Sequence, residues 1–462
     1  MTNIAQLPCG TTTVPVELDD HTFLVEQAPN LPLPPQPDLA AAVRNALDHP
    51  LDRPPLDTQV GPRSRVTIAF DDPTVPCFAP VWQEGLGQIV EQLLRGGAQE
   101  QNLTLLCANA LHRKFRREEL ARTIGQRLVD RFGDRLRCHD AEDPDNLVHV
   151  GETSGGFPVE LHRAAVDADL CIYLNTSCWK AFNGGWKSIC VGLSTYRSIR
   201  CHHTPESMSM SLERNRMHEI LDEMGALLDE RLGTEHFFKV ETVLANPFQV
   251  GKMWSGSIAA TRAEVLKLQA ESGQSRRSLL QEKADIVCYG VPAWSPYAAF
   301  AGMNPLLTLV STGLGYLGGV IEALGKPGCS VILATPCPDE WDDAHHPSYR
   351  EVWNRILPQT KDPEDIRVRF EEELAARPDY VDKYRNGFGF HPAHGIMATY
   401  PLKRLRHAAR IFVAHAQSPE LITHLGFTPV PTVTGALAQA RELHGPGATV
   451  AVVKYPMAVN RH

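Results

Sequence analysis

The sequence predicts an α/β protein of two domains, with mainly parallel sheets and an active-site cleft between them. Three observations carry that prediction. Short apolar runs of strand length alternate with amphipathic stretches of helical length, the pattern of βαβ units. Titratable residues and glycines gather just after several apolar runs, at the strand ends where α/β sheets bind ligands. A chain of 462 residues is long enough for two or three domains of ordinary size. The division is expected at residue 280, with 1–280 as an N-terminal domain for catalysis and cofactor binding and 281–439 as a C-terminal domain. The closing segment 440–462 is allowed to return to the first domain.

Taken in order, residues 1–27 read as two short strands and the Pro-rich 28–37 as an extended linker. A helix is expected over 38–49. A strand over 65–70 runs into Asp71-Asp72-Pro73-Thr74-Val75-Pro76, placing carboxylates and a hydroxyl at a strand's carboxyl end. Asp, Pro and Thr also form turns, so a capped turn explains the same residues. A helix over 81–96 closes at Gly96-Gly97, and a strand over 103–107 leads to Asn109-Ala110-Leu111-His112-Arg113. An imidazole at a strand end suits proton transfer at about pH 7. A further helix is expected over 117–132.

The richest stretch follows an apolar run at 169–174, which reads as a buried strand. Asn183-Gly184-Gly185-Trp186-Lys187 comes next, where paired glycines let backbone N–H groups approach an anion and Lys187 adds a cation. The spacing is not that of a Walker A loop. A plain strand-to-helix turn with an exposed lysine is the alternative. The segment ends in Cys201-His202-His203, a metal or proton-transfer site or simply a half-buried pair. A Met-bearing helix over 206–230, read as core or partner-facing, precedes a strand over 236–245 and a long helix over 259–283.

A second α/β unit opens with a strand over 285–290, and glycines at 312–319 join helical segments. Strands are expected over 329–335 and 410–414, then a helix over 434–443 and a closing strand over 449–455. The loop 386–397 carries His391 and His394 and is a candidate cleft wall, two surface histidines being the alternative.

Composition narrows the function classes. A net charge of −9 and a pI of about 6.1 argue against a nucleic-acid partner held through phosphates. Eleven cysteines without a C-x-x-C pair fit reduced thiols. The N-terminus has no basic region followed by an apolar one, and no apolar run is read as long enough to cross a bilayer. The expectation is a soluble cytoplasmic protein acting on a small molecule, with no membrane and no nucleic acid.

The ordered strand-end motifs resemble the nickel-pincer-nucleotide lactate racemase family. Asp71-Asp72-Pro73-Thr74-Val75-Pro76 is similar to that family's Asp-x-Thr-Arg-Pro, and Leu111-His112-Arg113 with Glu118-Glu119-Leu120 to its Gly-x-His-Arg and Glu-Glu-Leu. His139-Asp140 through Gly151-Glu152-Thr153-Ser154-Gly155-Gly156 is a third match. Phe182-Asn183-Gly184-Gly185-Trp186-Lys187 is like Phe-Ser-Gly-Gly-Arg-Lys, with His203 at the family's distance, and Leu425-Gly426-Phe427 matches the family's ending.

The resemblance implies a nickel-pincer nucleotide (nickel pyridinium-3,5-bisthiocarboxylic acid mononucleotide), supplied by cofactor biosynthesis and insertion enzymes. Lys187 would hold it, His203 would bind its nickel, and Asp72, Thr74, Gly184 and Gly185 would contact the nucleotide. His112 would be one of two acid/base residues in a racemase or epimerase that moves hydride reversibly between carbon and cofactor. Four departures bear on the substrate. Val75 stands in place of an Arg that orients the substrate carboxylate, Trp186 in place of a second Arg, and Ser177 at or near the second catalytic His. The Tyr-Gln-x-x-Lys run expected after Val291-Pro292 is absent. These changes point away from lactate toward another 2-hydroxy acid, a polyol or a sugar, since lost cations remove bidentate carboxylate recognition. Lys180, His391 and His394 are candidates for the second acid/base. A non-catalytic binding relative and a net dehydrogenase using the same cofactor are the alternatives.

Overall fold

The computed structural model describes residues 3–25, 33–75, 79–177, 183–208, 216–246, 249–277 and 283–454. The chain has the expected α/β class, with two six-stranded, mainly parallel sheets. It forms two compact units.

One unit contains Leu31–Gly273 and the later segment Tyr384–Phe390. Its sheet runs in the order Gln249–Gly256, Phe237–Asn246, Leu170–Ser177, Val66–Asp71, Leu103–Ala108, Leu136–Cys138. All pairs are parallel except the edge hairpin of the first two strands. The central strands are buried throughout, with mainly apolar residues, as expected for strands covered on both faces. On one face Ala69, Cys171 and Tyr173 pack against Ile189, Met217 and Met224. On the other the helix Ala79–Arg95 lies close to the sheet, with Gly85 over Leu174.

From Val66–Asp71 the chain winds outward through Leu103–Ala108 and Leu136–Cys138. It then returns to the opposite side of Val66–Asp71 as Leu170–Ser177. The switch point therefore lies between Val66–Asp71 and Leu170–Ser177, and the crevice beyond their carboxyl ends is where such sheets bind ligands.

The expected helix over 117–132 is two, Arg117–Ile124 and Gln126–Phe132. Gly125 at φ +87° ends one and starts the other. Of the Met-bearing stretch, Arg216–Leu232 is helical, and its buried Met217 and Met224 are core residues.

The other unit contains residues 1–30, Gln274–Lys383 and His391–Val459. Its sheet is parallel, in the order Thr428–Val430, Ala408–Ala414, Gly325–Ala334, Ala284–Gly290, Val450–Val453, Thr22–Val25. The linear division at residue 280 is thus replaced by an interleaved one. The N-terminal strand Thr22–Val25 pairs with Val450–Val453, so 440–462 does not return to the first unit through that strand. The hairpin Asn3–Cys9 and Thr12–Leu18 packs on the same sheet through Ala5, Leu7 and Val16, beside the helix Val433–His444. Pairing between chain ends leaves no local signal in either segment, which is why periodicity alone did not reveal it.

The glycine-bearing 306–324 stretch is a wide-turn π-helix, Leu306–Tyr316, followed by Gly319–Leu324. By length and composition Leu306–Leu324 is apolar enough to cross a bilayer, contrary to the sequence expectation, and 72% of it is buried inside the unit. None of the described cysteines is joined in a disulfide.

The hairpin crosses the carboxyl end of the strand Ala284–Gly290 so closely that a Cβ on Gly290 would lie 1.8 Å from the Pro8 carbonyl oxygen. Gly290→Ala is expected to lower stability by about 1–3 kcal/mol, as overpacking does. Urea unfolding curves of parent and variant measure it.

Candidate functional site

Asp72, His112 and the Gly184-Gly185 turn each follow the carboxyl end of a strand of the first sheet. Asp72 follows the strand Val66–Asp71 and is almost wholly buried, 1% exposed. Its Oδ1 accepts from the Thr74 backbone N–H at 3.1 Å and from the Thr74 hydroxyl at 2.5 Å. Its Oδ2 lies 2.8 Å from Nδ1 of His112, and the Thr74 Oγ1 is 2.9 Å from that same nitrogen. Asp72 and Thr74, expected against a nucleotide, are thus also the partners of the expected acid/base. A carboxylate on Nδ1 favours the tautomer with its N–H at Nδ1 and its lone pair on Nε2.

His112 is held by its own turn. The strand Leu103–Ala108 ends in Asn109, whose carbonyl accepts from the His112 N–H at 2.6 Å. The Asn109 amide donates to the carbonyls of His112 and His139, at 3.1 and 3.0 Å. Ala110 sits at φ +48°, a conformation few residues with a Cβ adopt. Its N–H donates to Gly192 and its carbonyl accepts from the Tyr384 hydroxyl, at 3.0 and 3.1 Å. Tyr384 and Phe390 come from the late segment of this unit, and Phe390 packs at 5.7 Å between ring centroids from His112. Arg113 and Glu119, two matched motif residues, form a buried bidentate pair at 2.9 and 3.1 Å, so their work is structural.

The Gly184-Gly185 turn follows the strand Leu170–Ser177. Both glycines have positive φ, +88° and +59°. A Cβ on Gly184 would lie 2.4 Å from Glu241 Oε1 and 2.7 Å from Ser177 Oγ. The need for glycine there comes from protein side chains, a different cause from the anion approach read in the sequence. Trp186 is core: it meets Phe237 edge-on at 5.7 Å, and a Cβ on Gly225 would lie 2.2 Å from its ring. Lys187 opens the short helix Lys187–Gly192 and donates to Asn183 Oδ1 at 3.0 Å. His203 follows the helix Tyr196–His202, with its Nδ1 2.8 Å from Nδ1 of His202. Burial, with the charge of Lys187 nearby, pushes His202 down to about 3. Among the described residues no group of three His, Cys, Asp or Glu side chains forms a metal cage.

Beneath this surface lies a charged network that sequence reasoning missed. Asp71 accepts from the Tyr173 hydroxyl and the Thr176 N–H, both at 2.9 Å, and burial pushes its carboxyl up to about 6. Lys239, fully buried, bonds Ser188 Oγ and lies 4.7 Å from the Tyr173 ring centre and 3.8 Å from Glu241. Burial lowers its pKa. Ser177, at the position matched to the family's second catalytic His, donates to fully buried Glu241. Arg262 donates to the Asn183 carbonyl at 2.8 Å and closes the back of the turn. The signal was present: Lys239 and Glu241 are two apart in a mainly apolar strand, hence on one face of it.

Of the other expected residues, Lys180 lies outside the described residues. His391 and His394 belong to the second unit. His391 is fully buried, and its Nδ1 accepts from the Ala393 N–H at 3.2 Å. Nδ1 of His394 lies 2.5 Å from the Tyr349 hydroxyl, with the Tyr297 ring edge-on at 4.3 Å. Neither is the surface histidine that the sequence left open.

Comparison with known proteins agrees with the sequence motifs. A family model described as the lactate racemase N-terminal domain matches residues 9–215. The lactate racemase of Lactiplantibacillus plantarum is 26% identical over 222 residues, spanning 46% of this chain and 50% of that protein. That of Thermoanaerobacterium thermosaccharolyticum is 24% identical over 334 residues, 70% of each. The structure of the lactate racemase apoprotein from T. thermosaccharolyticum superposes with a TM-score of 0.67 at 17% identity, covering 99% of both chains. A Thermotoga maritima protein superposes with a TM-score of 0.54 at 12% identity, covering 94% of this chain and 99% of that one.

Two outcomes are expected from this geometry. Glu241→Ala strips a buried lysine of its carboxylate and should cost about 3–5 kcal/mol in urea unfolding. His139 and His162 pack with ring centroids 5.6 Å apart, and burial pushes them down to about 3 and about 4. Their folded values lie below the unfolded value of about 6.5. They therefore contribute stability above that value that is lost as pH falls through it toward 4, where the unfolded chain binds more protons. The urea midpoint should fall over that window, and less steeply in a His139→Gln/His162→Gln variant.

Proposed function

The chain belongs to the lactate racemase-like family, and on that premise we propose that it is a racemase or epimerase inverting a secondary-alcohol carbon. Its substrate is a 2-hydroxy acid other than lactate, or a polyol or sugar. The observation that carries the reading is the Asp72–His112 pair beyond the carboxyl ends of the parallel strands Val66–Asp71 and Leu103–Ala108.

Asp72 sets the tautomer of His112, so that Nε2 takes the proton of the substrate hydroxyl as general base. Thr74 steadies the same pair from the side. Phe390 shields one side of the imidazole from water. Lys187 and His203 fit a nickel-pincer nucleotide by the chemistry of their donors: an amine for attachment, and an imidazole nitrogen of the kind Ni(II) accepts. When bound, that cofactor supplies a reversible hydride acceptor. The second proton-handling group on this reading is Lys180, His391 or His394. Val75 gives a substrate carboxylate no charged partner, and Trp186 is spent on packing. Both favour a substrate recognised through hydroxyl groups over one recognised through a single carboxylate. The thiol-rich composition favours the cytoplasm.

The test is metal analysis and intact mass of protein co-produced with the cofactor's biosynthetic enzymes, followed by chiral chromatography of hydroxy acids, aldonates and polyols. Near-stoichiometric nickel with a nucleotide-sized mass gain on Lys187 is expected. Folded protein with neither would move the reading to a non-catalytic binder, and a ketone product without the inverted alcohol to a dehydrogenase. His112→Ala should lower turnover about 10²–10⁴-fold while nickel and nucleotide stay bound. Full activity in that variant would refute its role.

A further inference from the structure

We infer that Tyr384 is a positioning residue for His112: its buried hydroxyl holds Ala110 in the left-handed conformation that aims the imidazole at Asp72. The inference rests on the reading of His112 as general base. It starts from an outlier two residues before that base. Ala110 has φ +48°, where a Cβ crowds the backbone. The His112 N–H closes the turn on the Asn109 carbonyl, so Ala110 is one of its two central residues. The dihedrals of those two residues set the course of such a turn. Were Ala110 to relax to negative φ, the chain after it would leave in another direction and take His112 from Asp72.

Strain of this kind persists only where the surroundings hold it. Ala110 is held at both of its backbone groups. Its N–H donates to the Gly192 carbonyl at 3.0 Å, and its carbonyl accepts from the Tyr384 hydroxyl at 3.1 Å. The direction of the second bond is fixed, because a carbonyl only accepts. The same hydroxyl accepts from the Ala141 N–H at 2.8 Å, and an amide N–H only donates. Tyr384 is fully buried, so its hydroxyl spends its proton on Ala110 and a lone pair on Ala141.

Those two bonds stand in for a piece of sheet. Leu103–Ala108 and Leu136–Cys138 are parallel neighbours, and the His139 N–H still reaches the Cys107 carbonyl directly, at 2.9 Å. Past that point the Ala110 turn carries the first chain away, and the Tyr384 hydroxyl bridges Ala110 to Ala141. A phenylalanine would fill the same volume and leave both backbone groups without this partner. The segment that bears Tyr384 is docked from the side of the base. Lys114, two residues past His112, donates to the Arg385 carbonyl at 2.7 Å and to Asp140 at 2.5 Å. Arg385 in turn pairs with Asp143 at 3.2 Å.

Tyr384→Phe removes only the oxygen. The first readout is the His112 Nδ1–H proton, shifted downfield by the Asp72 carboxylate, in NMR of ¹⁵N-histidine-labelled, metal-free protein, assigned by its loss in His112→Gln. The second is hydrogen exchange of the peptide covering 109–113, followed by mass spectrometry on the full chain. The parent should show the downfield proton and protect that peptide. Tyr384→Phe should lose the signal and speed exchange there about tenfold, with the strand Val66–Asp71 at the parental rate. Adding Ala110→Gly to Tyr384→Phe should restore both, because glycine takes positive φ without strain. A tyrosine that served packing alone would not be rescued by that change. On a hydroxy acid, aldonate or polyol that the parent turns over, Tyr384→Phe should lower kcat about 10–100-fold at a KM within about threefold. A parent whose 109–113 peptide exchanges as fast as an open loop overturns the inference, and needs no variant to fold. So does a Tyr384→Phe protein with the parental signal and exchange rate, or a loss that Ala110→Gly leaves as it was. The expected NMR and exchange in a parent that binds no nickel and turns nothing over would overturn the racemase reading and leave the clamp standing.

Discussion

Asp71 accepts hydrogen bonds from the Tyr173 hydroxyl and the Thr176 N–H on the neighbouring strand, and the site depends on that stitch. The two strands it joins are those whose outgoing chains diverge, one toward Asp72 and Thr74, the other toward Gly184 and Lys187. Ladder hydrogen bonds alone would leave their ends to fray. Successive residues of a strand point to opposite faces, so the next carboxylate along, Asp72, turns to His112 instead. One acid holds the crevice closed from below, and its neighbour equips it from above.

The charges beneath the Gly184-Gly185 turn show what this arrangement demands. Lys239, Glu241 and Asp71 are all buried, where unpaired charge is costly, so each is tied to a polar neighbour. Glu241 and Ser177 fill the space beside Gly184, and Gly225 makes room for Trp186. The residues that depart from the family pattern at this turn, Ser177 and Trp186, are both integrated into packing. They are settled features of this site, not gaps in it.

Much of the first unit was legible because its strands are continuous apolar runs and its functional groups sit at their ends. His112, Asp72 and Lys187 all fall on the expected sheet edge. What local patterns could not supply was pairing across sequence distance. Nothing in Thr22–Val25 announces that it pairs with Val450–Val453, and nothing in Tyr384–Phe390 announces that it packs beside His112. The buried carboxylate network was half legible. Lys239 and Glu241 share a strand face, but their partners Ser188 and Ser177 are 51 and 64 residues away. The motif residues also divided by role only in three dimensions: Arg113 pairs with Glu119, while its neighbour His112 pairs with Asp72.

The interleaved path of the chain has a consequence for how the protein is made. Among the described residues Thr22–Val25 has Val450–Val453 as its one neighbour in the sheet, so a nascent chain carries that strand without this partner through almost the whole of translation. The wall beside His112 is likewise missing until Tyr384–Phe390 leaves the ribosome. An open strand edge held that long is a template for pairing with another chain. Premature termination would therefore leave a sticky fragment with neither unit closed, and shielding of the early hairpin by a chaperone becomes part of what this topology costs the cell.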